Sequence, residues 1–184
     1  MLTKQEYELA QDMAADAFAK AGIIITREER KNIEIADFGL SDLNNFGLEI
    51  VVYVNTDRVC AKEIVLFPGQ ICPEHRHPPI NGNPGKEETF RCRAGKVYLY
   101  VPGEPTPNPK GVVLEARKAY FAVWHEIMLN PGEQYTLPPD TLHWFQGGTE
   151  GAIVSEFSTH SIDEADIFTD PGIVREPSIE PSSE

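Results

Sequence analysis

The chain has 184 residues, 41% of them hydrophobic and 24% charged, and a formal net charge of −13. These proportions fit one globular domain with room for a sizeable core. The acidity serves solubility and argues against nucleic acid or an anionic membrane surface as partner, because the long-range field repels both.

Three cysteines, Cys60, Cys72 and Cys92, are odd in number and lack CxxC spacing. That pattern fits a reducing compartment better than a disulfide framework or a zinc knuckle. The opening MLTKQEYELA has no apolar run of signal-peptide length, and the apolar runs elsewhere are strand-sized. A soluble cytoplasmic protein is expected.

Residues 3–21 read as a helix. Thr3 and Glu6 have capping-box spacing, Gly22 stands where helices stop, and Leu9, Met13 and Ala17 with Ala10, Ala14 and Phe18 form an apolar stripe. That stripe is expected to pack on the body of the protein. A second short helix covers Thr26 to Asn32.

From Gly47 the apolar period changes to two. LEIVVYVN and RVCAKEIVLF read as strands joined at Asn55-Thr56-Asp57. Gln70 to His77 is a short strand after the Pro68-Gly69 turn. Pro78 to Gly85 (PPINGNPG) is an irregular loop dense in turn formers. Glu88 to Val101 is a strand pair or one bent strand with a break at Ala94-Gly95, followed by the proline-rich loop PGEPTPNPKG. Further strands are expected at Ala119 to Ile127, Gln134 to Leu137, Leu142 to Phe145 and Ala152 to Ser158, the last two separated by a Gly147-Gly148 turn. Fifteen prolines, fourteen glycines and many short strands argue an all-β sandwich or barrel. The division expected is an N-terminal helical segment (1–46), the barrel (47–168) and a C-terminal tail (169–184) whose last residues, EPSIEPSSE, are disordered.

The chemistry concentrates between Gly69 and Gly95. His75 and His77 are one residue apart, so on a strand they face the same side and can bind one cation together. Glu88 opens the following strand, and His143 opens another far downstream. Three imidazoles and a carboxylate suit Mn, Fe, Co, Ni, Zn or Cu and leave positions open for water or substrate. Glu87 is the weaker ligand candidate, because alternation turns it away when Glu88 faces in.

These residues resemble the first cupin motif, G-x5-H-x-H-x3,4-E-x6-G. Gly69, His75, His77, Glu88 and Gly95 match it, except that ten residues separate His77 from Glu88 where the motif has three or four. Gly132, Pro138 and His143 match the second motif, G-x5-P-x-G-x2-H-x3-N, with Asp140 and Gly147 in place of its glycine and asparagine. The resemblance covers about 47–157 and implies a cupin double-stranded β-barrel, or jelly roll, with the metal on these four side chains. The longer pattern HRHPPINGNPGKEETFRCRAGKVYLYV, with LPPDTLHWFQGG and VSEFSTHSIDEADIFTDP, resembles the D-lyxose isomerase family of sugar-isomerase cupins, inserted spacer included. That resemblance implies interconversion of D-lyxose and D-xylulose, and of D-mannose and D-fructose, with a divalent metal: most often Mn2+, with Zn2+, Co2+, Fe2+ or Ni2+ as alternatives.

Aldose–ketose isomerisation needs a base to move a proton between C2 and C1, and electrophiles on the two oxygens. Glu156 is the candidate base. It shares a strand face with Ala152 and Val154, where a carboxylate must be compensated; the SEFS stretch around it recurs in the resembled family. The alternative is that Ile153, Ser155 and Phe157 face in and Glu156 is a surface charge. Lys62 alternates with Ile64 and Leu66 and could donate to a substrate oxygen or pair with Glu156; the alternative is that Glu63, Val65 and Phe67 face in. Lys86, two residues before Glu88, is a candidate substrate contact. Phe145 should wall the pocket beside His143. Tyr98 is placed at the sugar as a hydroxyl donor, the alternative being a buried structural tyrosine. Trp144, His125, His160 and the cysteines are read as packing or surface residues. The competing functions are an iron cupin dioxygenase, which uses the same ligand types, and a non-catalytic sugar-binding cupin. Exposed sheet edges and the amphipathic first helix point to a homodimer, and the loop PPINGNPGK is expected to frame the mouth of the site and decide the sugar.

Overall fold

The computed structural model describes residues 2–175 and Ile179. Helix α1 (Lys4–Lys20) begins where Thr3 and Glu6 satisfy each other's backbone: the Thr3 N–H donates to the Glu6 carboxylate at 2.8 Å, and the Glu6 N–H donates to Thr3 Oγ1 at 3.2 Å. Helix α2 (Arg27–Lys31) starts with the same device, built from Thr26 and Glu29. Ala10, Ala14, Ala15 and Phe18 of α1 pack on Val51, Val65 and Ile153 of the sheet behind them. Leu9 and Met13, expected in the same stripe, stay 59% and 46% exposed. Close approach belongs to the small alanine column, and the bulkier pair is left on the flank.

Nine strands follow among the described residues: β1 (Glu34–Ala36), β2 (Leu48–Asn55), β3 (Cys60–Leu66), β4 (Ile71–Arg76), β5 (Glu88–Val101), β6 (His125–Leu129), β7 (Gln134–Leu137), β8 (His143–Ser158) and β9 (Ile167–Phe168). All the pairings between them are antiparallel. The long strands β5 and β8 each serve two walls. Residues 152–158 of β8 lie between β3 and the first half of β5, which continues to β7. Residues 143–147 lie between β4 and the second half of β5, which continues to β6. The two walls curl face to face into a double-stranded β-barrel, and one apolar cluster fills it, including Ile50, Ile64, Phe90, Leu99, Phe145 and Val154.

The crossing from one wall to the other depends on glycine. At Gly95 φ is +69°, and an added Cβ would lie 2.0 Å from the Gly151 carbonyl oxygen. β5 is therefore one bent strand with an irregularity between Cys92 and Ala94. That irregularity reverses its facing: Glu88, Phe90 and Cys92 point inward before it, and Val97, Leu99 and Val101 after it. β8 is likewise one 16-residue strand, correcting the expected pair of strands and turn. Gly147 and Gly148 are there for close approach: a Cβ at Gly147 would meet Leu66 Cβ at 3.0 Å, and one at Gly148 would meet Lys96 Cβ at 3.3 Å. The strand expected over Ala119 to Ile127 also starts late. Glu115–Tyr120 is a 3-10 helix, and the Glu74 carboxylate accepts from the N–H groups of Ala122 (2.7 Å) and Val123 (2.9 Å), donors that a strand would give to its neighbour. Residues 176–184, expected to be disordered, lie outside the described residues apart from Ile179, which bridges to Leu2.

Glu49 is fully buried behind the sheet. Its Oε1 accepts from Gln70 at 3.0 Å, its Oε2 has no partner, and burial pushes its carboxyl up from 4.5 to about 8. Between those values the folded chain holds a proton that the unfolded chain has released, so this residue's contribution falls as pH rises from about 4.5 to 8. Replacing Glu49 with Gln should flatten the pH dependence of urea unfolding over this range and leave the variant more stable at pH 8 by on the order of 2–4 kcal/mol.

Candidate metal centre and the charged cavity beside it

His75 and His143 face each other across the β4–β8 pairing, and His77 follows just past the end of β4. All three are buried, with ring centroids 4.3 Å (His75–His143), 4.9 Å (His75–His77) and 5.5 Å (His77–His143) apart. Each ring is held by Nδ1: His75 on the Pro73 carbonyl (2.8 Å), His143 on the Thr141 carbonyl (2.9 Å) and His77 on the Asp166 carboxylate (2.5 Å). That leaves Nε2 of each ring for a shared ligand, and the three rings offer nitrogens within 4.8 Å of one another. Glu88, the first residue of β5, brings Oε1 to 3.1 Å from His77 Nε2 and 3.0 Å from His143 Nε2. The second approach is close but misaligned, so His143 Nε2 is buried without a hydrogen bond. Converging imidazole nitrogens, that of His143 buried without a hydrogen bond, beside a carboxylate form a donor set that fits a divalent cation.

The cluster adjoins a second group of buried charges. Lys86 Nζ lies 2.7 Å from Glu88 Oε2 and 3.0 Å from Glu156 Oε1. Lys86 reaches inward because Gly85 passes against the His77 carbonyl, with φ at +103° and room for no Cβ (2.4 Å to that oxygen). Glu156 and Lys62 are register partners on β8 and β3, both on the inward face. Lys62 nonetheless bonds elsewhere, to Asp163 (2.9 and 3.0 Å) and Ser161 (3.2 Å), and Arg175 links Asp163 at 3.1 Å to Glu34 at 2.5 Å. The partner of Glu156 is therefore Lys86, not Lys62.

Burial works against every charge here, and the neighbours decide the outcome. It opposes the Lys86 ammonium, but Glu156 and Glu88 hold that group well above the usual lysine range. It opposes the Glu88 carboxylate, but Lys86 and His77 hold it well below 4.5. His75, buried among two other imidazoles, is pushed well below 6.5. His77 loses to burial but gains more from Glu88 and Asp166, and ends at about 9.

Phe145 packs on Phe90 at 4.9 Å and walls the interior cavity, which measures about 30 Å3 and is lined also by His75, Glu88, Glu156, Lys62 and Asp163. Tyr98, expected at the sugar, points the other way. The irregularity in β5 turns Val97 and Leu99 inward and sends Tyr98 to the outer aromatic cluster with Trp144. Above the cavity lies a vestibule of about 230 Å3, lined by the loop residues Ile80, Asn81 and Asn83 and by His160 and Ile162. Vestibule and cavity share three walls: His77, Lys86 and Asp166. Asp163, Asp166 and Arg175 carry no motif spacing; they reach the site on the segment that follows β8.

A model of the D-lyxose isomerase family matches residues 20–184. The chain belongs to the D-lyxose isomerase family. It is 66% identical over 180 residues to the D-lyxose/D-mannose isomerase of Thermosediminibacter oceani, covering 98% of this chain and 99% of that one. It is 60% identical over 175 residues to the D-lyxose ketol-isomerase of Cohnella laeviribosi, covering 95% and 96%. These names stand against the dioxygenase reading. Among solved structures, the L-ribose isomerase of Acinetobacter sp. DL28 in complex with L-ribose superposes with a TM-score of 0.79 at 16% identity, covering 94% of each chain. The L-ribose isomerase of Cellulomonas parahominis with no ligand gives 0.77 at 17% identity, covering 93% and 94%. At these identities the likeness speaks for the fold of this family member, a cupin-like barrel.

In the metal-free protein a cation must displace the proton that His77 holds up to about pH 9. Proton competition weakens binding below that value. Isothermal titration with Mn2+ should therefore show affinity rising up to about tenfold per pH unit between pH 6 and 8, and His143→Ala should abolish the Mn2+-induced rise in melting temperature.

Proposed function

We propose that the chain is an aldose–ketose isomerase that interconverts D-lyxose and D-xylulose, and D-mannose and D-fructose, using a divalent metal, Mn2+. The observation that carries this reading is the buried Glu88–Lys86–Glu156 chain set directly against three converging histidines. The names of relatives at 60–66% identity give the sugar. His75, His77, Glu88 and His143 would hold the metal. Bound there, it supplies Lewis-acid stabilisation to the charge that develops on the sugar's C1 and C2 oxygens.

The chain's own residues do the rest. Glu156 takes the proton from C2 and returns it to C1, and the hydroxyl proton released at O2 passes to the oxygen on C1. Lys86, 3.0 Å away, keeps that carboxylate compensated and offers its ammonium to the oxygen gaining negative charge. Lys62 is fixed to Asp163 and Ser161 and contributes positive potential rather than a proton. Phe145 and Phe90 keep the inner wall dry. The inner cavity has room for about one water, so a sugar's reacting end sits where cavity and vestibule meet, at His77, Lys86 and Asp166, while its tail occupies the vestibule. Length discrimination between pentose and hexose then belongs to the vestibule, framed by the inserted loop. That loop is pinned by a two-residue turn in which Ile80 and Asn83 exchange hydrogen bonds around Asn81-Gly82.

Three buried free cysteines favour a reducing, cytoplasmic setting, and no described helix is long and apolar enough to cross a membrane. Val54 and Phe157 both flank Ala61 in register and are 38% and 50% exposed, an apolar row suited to a homodimer contact.

The test is incubation of the Mn2+-loaded protein with a panel of aldoses and ketoses. Interconversion of D-lyxose and D-xylulose is expected. Glu156→Gln should lower turnover by about 10²–10⁴-fold while keeping its metal and its sugar binding; unchanged turnover would remove Glu156 as the base. Ile162→Trp, which narrows the vestibule, should raise KM for D-mannose more than for D-lyxose.

A further inference from the structure

The three histidines are not held alike. His75 and His143 rest their Nδ1 on backbone carbonyls, which no side-chain substitution removes. His77 alone rests on a carboxylate, that of Asp166, whose side chain is 7% exposed. Asp166 comes from neither motif. It sits between β8 and β9 on a segment that touches the site three times: Asp163 on Lys62, Asp166 on His77, and Phe168 on the His75 ring at 5.3 Å.

We propose that Asp166 is a positioning residue for the metal centre. Its carboxylate accepts the Nδ1–H of His77, which fixes the tautomer with the Nε2 lone pair turned to the centre, orients the ring and makes that nitrogen a stronger donor. A neutral carbonyl polarises the other two imidazoles less, so His77 is the ligand whose strength a side chain sets. Asp166 also walls both the vestibule and the cavity, so it is the hydrogen bond through which seating of the 161–168 segment reaches a histidine of the centre. The proposal rests on the reading that the three histidines hold a divalent cation.

The experiment is titration of the metal-free full chain with Mn2+, following the electron paramagnetic resonance signal of the free ion, for the wild type, Asp166→Asn, Asp166→Ala and a control, Asp12→Asn, at an exposed aspartate of α1 paired with Arg30. Asp166→Ala should bind about 10–100-fold more weakly. Asp166→Asn, whose amide oxygen still accepts the Nδ1–H, should fall between Asp166→Ala and the wild type, and Asp12→Asn should stay within about twofold of the wild type. Co2+ provides a second readout: its visible ligand-field bands should shift in Asp166→Ala but not in Asp12→Asn. A folded Asp166→Ala or Asp166→Asn protein with wild-type Mn2+ affinity and unchanged Co2+ bands overturns the proposal, and Asp166→Asn carries the decision where Asp166→Ala does not fold. If the wild type binds no Mn2+, the metal reading itself falls, a result distinct from equal affinities across the series.

Discussion

Lys86 is the cation on which the site depends. An isolated ammonium in this interior would cost far more than the barrel's margin of stability. It persists because Glu88 and Glu156 stand 2.7 and 3.0 Å away. The dependence runs both ways. Without Lys86, two carboxylates would share a cavity of about 30 Å3 beside three imidazoles with no ammonium between them, an arrangement that burial opposes. The contact therefore places one ammonium between a carboxylate beside the three imidazoles and a second carboxylate on β8. The alternation extends outward through Lys62, Asp163 and Arg175 to Glu34, near the surface.

The barrel makes this arrangement possible because β5 and β8 each belong to two walls. β8 brings His143 at its start and Glu156 near its end, while β5 brings Glu88. Two long strands crossing at glycines thus gather residues that are far apart in sequence, and the apolar cluster beneath fixes their facing. The inserted residues after His77 add two things to that frame. They deliver Lys86 to the interior through Gly85, and they build one wall of the vestibule.

Whatever followed local periodicity was legible in the sequence. The capping box of α1, the strand positions of β2 to β5, and the inward facing of Glu156 with Val154 and of Lys62 with Ile64 all come from spacings of two to four residues. So does the pairing of His75 with His77. Illegibility begins where one residue changes the count. The irregularity after Cys92 turns Tyr98 outward, and no local pattern announces it. Gly147 and Gly148 read as a turn because glycine marks both turns and close approaches; only the nearness of Leu66 and Lys96 separates the two cases. Asp163, Asp166 and Arg175 were invisible for a different reason. They act from a segment without strand periodicity, and an isolated aspartate there looks like any solvated charge.

The central claim is that His75, His77, His143 and Glu88 form one metal site already organised in the folded chain. Anomalous diffraction at the manganese edge, from crystals of the Mn2+-loaded protein, tests it most directly. One strong peak within bonding distance of the three Nε2 atoms and a Glu88 carboxylate oxygen is the expected result. A peak on Asp163 or Asp166, or none inside the barrel, would contradict it.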